Sequence, residues 1–207
     1  MKEKGLFVCI EGLDGCGKTT QTKLLVRNLK RKGYDVLTTA EPSRGKIGQF
    51  IKKHLLHGGK RSSSIVEALL FAADRIEHVE SEVLPALEKG RHVVSDRYVY
   101  SSLAYQGATG LDLEWIRRLN KHAANPDLAL FIDVAPTTVI KRLKAKRSVM
   151  ENLKTQQKVR EVYIKFADSG DLLRIDGNRP EKEIADEILE VVLKFLENPS
   201  LRSLNRL

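Results

Sequence analysis

Lys18 and Thr19 close a glycine-punctuated stretch, EGLDGCGKTTQ at residues 11–21, whose residue types and spacing suit one chemistry. Gly12, Gly17, Lys18 and Thr19 match G-x-x-x-x-G-K-[ST], with Leu13, Asp14, Gly15 and Cys16 in the variable positions. Glycines at 12, 15 and 17 let consecutive backbone N–H groups turn inward around phosphate oxygens. Lys18 then reaches the outer phosphates, the Thr19 hydroxyl ligates a magnesium ion, and Thr20 completes the set. A helix opening at Lys18 adds its positive N-terminal end. The loop holds a nucleoside triphosphate. It leaves open whether water or a second substrate attacks the last phosphate.

A second group of residues bears on that question. EPSRGKIG contains Glu41, Pro42 and Arg44 just after an apolar run, and SDRYVYSSLAYQG places Asp96 and Arg97 at the end of another. An arginine there grips a phosphate bidentately, and a carboxylate holds magnesium-bound water; the plainer alternative is an exposed ion pair of little consequence. LALFIDV ends in Asp133, which resembles a Walker B aspartate. In EALLFAADRIEHVESEVL, Leu69, Ala73, Ile76 and Val83 recur at helical spacing and read as a core face. Phe71 and Arg75, four residues apart, share a different face, where a base stacks on the ring and the arginine takes that nucleotide's phosphate. The competing reading makes Phe71 core and Arg75 solvated surface. Taken together, Arg44, Phe71, Arg75, Arg97, Tyr105 and Gln106 form a cationic, aromatic set that implies a second phosphorylated ligand.

The elements that must position these residues alternate along the chain. LFVCI, DVLTTA, HVVS, LALFIDV and LLRID read as strands, and helical patterns occupy residues 18–32, 46–56, 64–84, 112–123, 136–146, 154–167 and 180–197. Such alternation gives a parallel sheet covered on both faces, with ligands at the carboxyl ends of its strands. The 207 residues suit a single three-layer α/β domain, with a small lid near 146–154 and a tail that frays after Pro199. No apolar run approaches the eighteen or so residues of a membrane span, and no secretion segment opens the chain. The two cysteines, Cys9 and Cys16, form no metal-site or disulfide pattern, so a cytoplasmic protein is expected. A net charge of +9 suits polyanionic nucleotides; without an aromatic-interleaved basic run, neither a nucleic-acid partner nor a membrane is expected.

FVCIEGLDGCGKTTQ, EPS, LLFAADRIEH, VVSDRYVYSSLAYQGA, NPDLALFIDV and VREVYIKFA occur in the order and spacing of a known family. The chain resembles the thymidylate kinases of the nucleoside-monophosphate kinase group, over most of residues 5–167. The resemblance implies a five-stranded parallel sheet, a homodimer, and ATP-dependent, magnesium-assisted phosphorylation of dTMP to dTDP. It also implies that Phe71 stacks under thymine, Ser102 and Gln106 hydrogen-bond near the base, and Arg75 and Arg97 bind the acceptor phosphate. Asp14 and Asp96 would organise magnesium, partly through water, and Tyr105 would pack where a ribose 2′-hydroxyl would otherwise sit.

Phosphoryl transfer between two anions needs a further cation over the migrating group, and no arginine lies between Gly12 and Gly17. KRLKAKRSVMENLK falls where the family's lid lies, which makes Arg142 and Arg147 candidates; Arg147 is preferred because Arg142 belongs to the preceding helix. Rival functions differ in what they require. A GTP switch needs an N-K-x-D motif, and NKHA at 120–123 lacks the aspartate. A nucleic-acid-stimulated ATPase does not account for a second set of arginines. A nucleoside or small-metabolite kinase predicts turnover of an unphosphorylated acceptor.

Overall fold

FVCIEG, the apolar run entering the glycine loop, is strand β1 (Phe7–Gly12), buried along its whole length. The computed structural model describes residues 4–56, 62–143, 152–198 and 200–201. Around β1 assemble β2 (Val36–Ala40), β3 (His92–Asp96), β4 (Leu128–Asp133) and β5 (Leu173–Asp176) in the order β2-β3-β1-β4-β5, all parallel. β4 is also buried throughout, as expected of an inner strand covered on both faces, whereas the edge strand β2 alternates between covered and uncovered positions. Chain direction leaves β1 toward β3 on one side and β4 on the other. Its carboxyl end is therefore the crevice where such sheets take ligands.

Helices flank this sheet. α1 (Lys18–Arg31) packs against α9 (Glu181–Glu197), and α5 (Val99–Gly107) packs against α3 (Ser64–His78), α6 (Leu113–Leu119) and α8 (Leu153–Asp168). α2 (Lys46–Ile51), α4 (Leu84–Glu88) and α7 (Pro136–Arg142) are short. Single π-helical turns extend α2 through Lys52–Leu56 and join α3 to α4 through Val79–Val83. The proposed lid lies largely outside the described residues; Asn152 caps α8, whose first turn includes Leu153 and Lys154.

Two local readings of the sequence are corrected. The stripe Leu69, Ala73 and Ile76 does not line the core: Leu69 is 47% exposed, Ala73 is exposed and Ile76 only half-buried, while Val83 alone of the set is fully covered. α3 turns inward a largely polar face, Glu67, Asp74, Arg75 and His78 beside Ala68 and Ala72. Periodicity located the stripe but not its direction, because the inward face is stabilised by ion pairs rather than by apolar contact. The second correction is α5, which the helical pattern of the sequence does not reveal. VYSSLAYQG is poor in strong helix formers, and its N-terminal N–H groups are satisfied from β1: Tyr98 N and Ser101 N donate to Glu11 Oε1 at 2.8 and 3.2 Å.

Candidate active site

The glycine loop turns from β1 into α1 through three residues of positive φ, Gly12 at 145°, Gly15 at 83° and Gly17 at 104°. At Gly12 a side chain is excluded twice over, since a Cβ would sit 2.7 Å from Cys16 Sγ and 2.8 Å from the Ile132 carbonyl. Leu13 and Cys16 are buried in the hydrophobic cluster and anchor the loop from beneath. Lys18 Nζ donates to the carbonyls of Gly12 and Leu13 at 3.0 and 2.7 Å.

β3 brings the next residues. The register Ile10↔Asp96 sets Asp96 beside the end of β1, and Thr19 donates its hydroxyl to Asp96 Oδ2 at 2.5 Å. Asp96 Oδ1 is buried and takes no hydrogen bond within the protein. Arg97 follows in the left-handed region, φ 74°, unusual for a residue with a side chain. Its guanidinium pairs with Asp14 of the glycine loop and lies 5.3 Å from the Tyr105 ring centroid. Tyr105 Oη in turn accepts from Asp14 N at 3.0 Å. Asp14, Gly15, Gly17, Lys18, Thr19, Thr20, Ala40, Glu41, Asp96, Arg97 and Arg142 line one cavity of about 410 Å³. A triphosphate loop and an arginine from a separate strand thus face the same space.

The chain also matches known proteins over most of its length. The thymidylate kinase family model matches residues 10–188. A probable thymidylate kinase of Pyrococcus abyssi is 45% identical over 197 residues, 91% of this chain and 96% of the relative. One of Thermococcus onnurineus is 47% identical over 180 residues, 82% and 88% of the two chains. The thymidylate kinase of Caldanaerobacter subterraneus is 37% identical over 203 residues, 94% and 98%. The chain belongs to the thymidylate kinase family.

Beside the cavity, a second cluster is built around Arg75, which is only 1% exposed. Its Nη1 donates to Asn120 Oδ1 at 2.5 Å; its Nη2 donates to Glu41 Oε2 at 2.6 Å, Ser102 Oγ at 3.1 Å and the Tyr98 carbonyl at 3.3 Å. The guanidinium carbon lies 5.3 Å from the Tyr98 ring centroid, and Nε alone has no hydrogen-bond partner. Glu41 is shared with His78, whose Nδ1 stands 3.2 Å from Oε1. Asp74, the neighbour of Arg75, pins the loop after the cis Glu41–Pro42 bond by accepting from Ser43 N at 2.8 Å and Ser43 Oγ at 2.5 Å. Gln106, next to Tyr105, is buried with Oε1 unpartnered.

The residues singled out from the sequence therefore fall into two clusters. Asp14, Lys18, Thr19, Asp96 and Arg97 meet in the cavity with Glu41 at its edge. Arg75, Ser102 and Glu41 meet in a second cluster, where Arg75 donates to Ser102 and is not among the residues lining the cavity. Phe71 is half-buried on α3, and the Arg44 side chain is exposed at the turn after Pro42. Arg147 lies outside the described residues; Arg142, at the end of α7, reaches the cavity.

Asp133 is not the aspartate that faces Thr19. It accepts from Arg160 Nε and Nη2 at 2.7 and 2.9 Å and from Arg174 Nε and Nη2 at 2.8 and 2.5 Å. Its register partner is Asp176 of β5, and both arginines bind Asp133 itself, whereas Asp96 is the aspartate that takes the Thr19 hydroxyl. Sequence reasoning also passed over Glu11, Tyr98, His78 and Asn120. An asparagine at a helix end or a buried glutamate carries no local signal; only the long-range contacts give these residues meaning.

Electrostatics separates the carboxylates. Burial raises the Asp14 pKa, but Arg97 and Lys18 outweigh it and hold the carboxyl below its ordinary value. Arg97 is itself opposed by burial and kept protonated mainly by Asp14. Burial pushes the Tyr105 hydroxyl far up, so it stays a neutral donor and acceptor.

Proposed function

We propose that the chain transfers the γ-phosphoryl group of ATP to dTMP, giving ADP and dTDP, with donor and acceptor meeting in the cavity shared by the glycine loop and Asp96-Arg97. The observation that carries this reading is the closure of that cavity by Thr19–Asp96 at 2.5 Å and by the Arg97–Asp14 pair. An acceptor phosphate oxygen is already nucleophilic, so it bonds to the γ-phosphorus as the bond to the β-bridging oxygen breaks. No general base is required. The protein's task is to hold two anions in line and offset their repulsion. Lys18 and the N–H groups of the loop take the donor, and Arg97 grips the acceptor phosphate, with Arg44 placed to reach it from the Pro42 turn. Phe71, Ser102 and Gln106 receive the base. Arg75, already neutralised by Glu41, contributes its remaining Nε–H from below, and Tyr105 packs against the deoxyribose.

Magnesium fits the oxygens present. The Thr19 hydroxyl and the unpartnered Asp96 Oδ1 are hard ligands of the kind it prefers, with Asp14 acting through water. When bound, the ion neutralises charge on the phosphate oxygens. For the cation over the migrating group, the place of Arg142 in the cavity favours it, with Arg147 as the alternative from the sequence.

The same reading takes residues 1–207 as one kinase domain with a short lid over 146–154. Two free thiols, Cys9 and Cys16, suit a cytoplasmic enzyme, and among the described residues no helix is long and apolar enough to cross a membrane. The outward stripe of α3, with Ile65 52% and Leu69 47% exposed, supports a homodimer in which a second copy covers it; sedimentation of Leu69→Glu as a monomer beside a dimeric wild type checks this. The activity is tested by ADP formation with each nucleoside monophosphate, each parent nucleoside and no acceptor. Turnover confined to dTMP and close analogues is expected; ADP formation without an acceptor, or with thymidine alone, would overturn the reading.

A further inference from the structure

We infer that Glu11, acting with Tyr163 through the Ser101 hydroxyl, positions the Arg97 guanidinium for the acceptor phosphate. Glu11 is fully buried at the end of β1, next to the first glycine of the donor loop. Four donors converge on it. Tyr98 N and Ser101 N reach Oε1 at 2.8 and 3.2 Å; Ser101 Oγ and Tyr163 Oη reach Oε2 at 2.6 and 3.0 Å. Ser101 has one hydroxyl hydrogen, and the 2.6 Å contact with a carboxylate claims it. The Ser101 oxygen can then only accept from Arg97 Nη1, which stands 3.2 Å away. The other arm of Arg97 is taken by Asp14. One guanidinium is thus fixed at two ends, by the donor loop directly and by Glu11 through a serine.

Tyr163 strengthens this arrangement from α8. Its ring stacks on Phe131 of β4 with centroids 4.9 Å apart and planes 13° from parallel, which fixes where the hydroxyl points. That hydroxyl is 3.1 Å from Ser101 Oγ as well as 3.0 Å from Glu11. Burial pushes the Glu11 carboxyl up, while Ser101, Arg97, Tyr98 N and Tyr163 draw it back. Burial outweighs them and leaves the carboxyl above its ordinary value. Glu11 also caps α5, a structural role, and the two roles use different oxygens. Oε1 serves the helix; Oε2 serves Ser101 and Tyr163.

The inference rests on the acceptor reading above. Tyr163→Phe removes one hydroxyl and leaves the cap and the ring stack in place. Its KM for dTMP is expected to rise about fivefold to tenfold, with KM for ATP unchanged within about twofold and Tm lowered by only about 2–4 °C. Glu11→Gln, which keeps an Oε1 acceptor but sets an amide against two hydroxyl donors, is expected to lower kcat/KM for dTMP at least about tenfold. Unaltered dTMP kinetics in Tyr163→Phe would overturn the proposal, as would an equal rise in both KM values or a loss of activity that tracks a fall in Tm. Wild-type enzyme that forms no ADP with dTMP counts instead against the acceptor reading, and the variants are then compared on whichever acceptor the wild type uses.

Discussion

Lys18 and Arg75 are both buried cations, 5% and 1% exposed, yet the two halves of the site satisfy them differently. Lys18 leans on two backbone carbonyls of its own loop, neutral groups that leave its charge available to an incoming polyphosphate. Arg75 is tied to the Glu41 carboxylate, the Asn120 amide, the Ser102 hydroxyl and the Tyr98 carbonyl, drawn from three other segments. One region holds its charge with neutral carbonyls at the edge of the cavity; the other uses a charge hydrogen-bonded to a carboxylate as framework. The physical reason lies in what each must meet. A triphosphate brings several negative charges that repay the desolvation of a lysine, whereas a buried guanidinium outside that cavity must be paired in advance.

This contrast sets the expected size of each perturbation. Lys18→Ala removes the free charge and should lower kcat by about a thousandfold with every acceptor. Arg97→Ala should lower kcat/KM for dTMP at least about a hundredfold, or about 2.7 kcal/mol of transition-state stabilisation, while ATP binding measured by calorimetry holds. Near-normal turnover in that variant would dissolve the two-phosphate model. Next come the lid candidates. Arg142→Ala is expected to cost about ten- to a hundredfold in kcat and Arg147→Ala much less; the reverse order would return the role to the residue chosen from the sequence.

In the acceptor half the first readout is stability. Glu41→Ala leaves a buried guanidinium uncompensated and should destabilise the fold by about 3–5 kcal/mol in denaturant titration, whereas Lys18→Ala should cost far less. Comparable losses in the two variants would erase the distinction between the two cations. The smallest effect concerns pH. Asp14 has a folded-state pKa below its ordinary 3.8, so its pairing with Arg97 contributes stability above 3.8 that is lost as pH falls through the lower folded value. The Tm gap between wild type and Asp14→Asn should be constant above about pH 5 and close only in stronger acid. A gap that closes between pH 5 and 7 would show that Asp14 is not held by Arg97.

The donor half was legible in the sequence because its determinants are contiguous. Gly12 to Thr20 supply turn, cradle and charge within a few residues, and the alternation of apolar runs with helical patterns specified a parallel sheet with ligands at the carboxyl ends of its strands. Asp96, Arg97 and Tyr105 were legible near the exit of an apolar run, and family spacing carried the choice of Ser102. Tertiary structure decided the rest. Which aspartate faces Thr19 depended on strand register, with Asp96 beside Ile10 and Asp133 beside Asp176. Which face of α3 turns inward depended on Glu41, Asn120 and His78, residues that periodicity cannot pair with Arg75. Even the existence of α5 rested on a carboxylate from β1 satisfying N–H groups 87 and 90 residues away. Local sequence determines backbone turns and apolar stripes. Buried charge can be placed only when its partner is known, and here the partners come from distant segments.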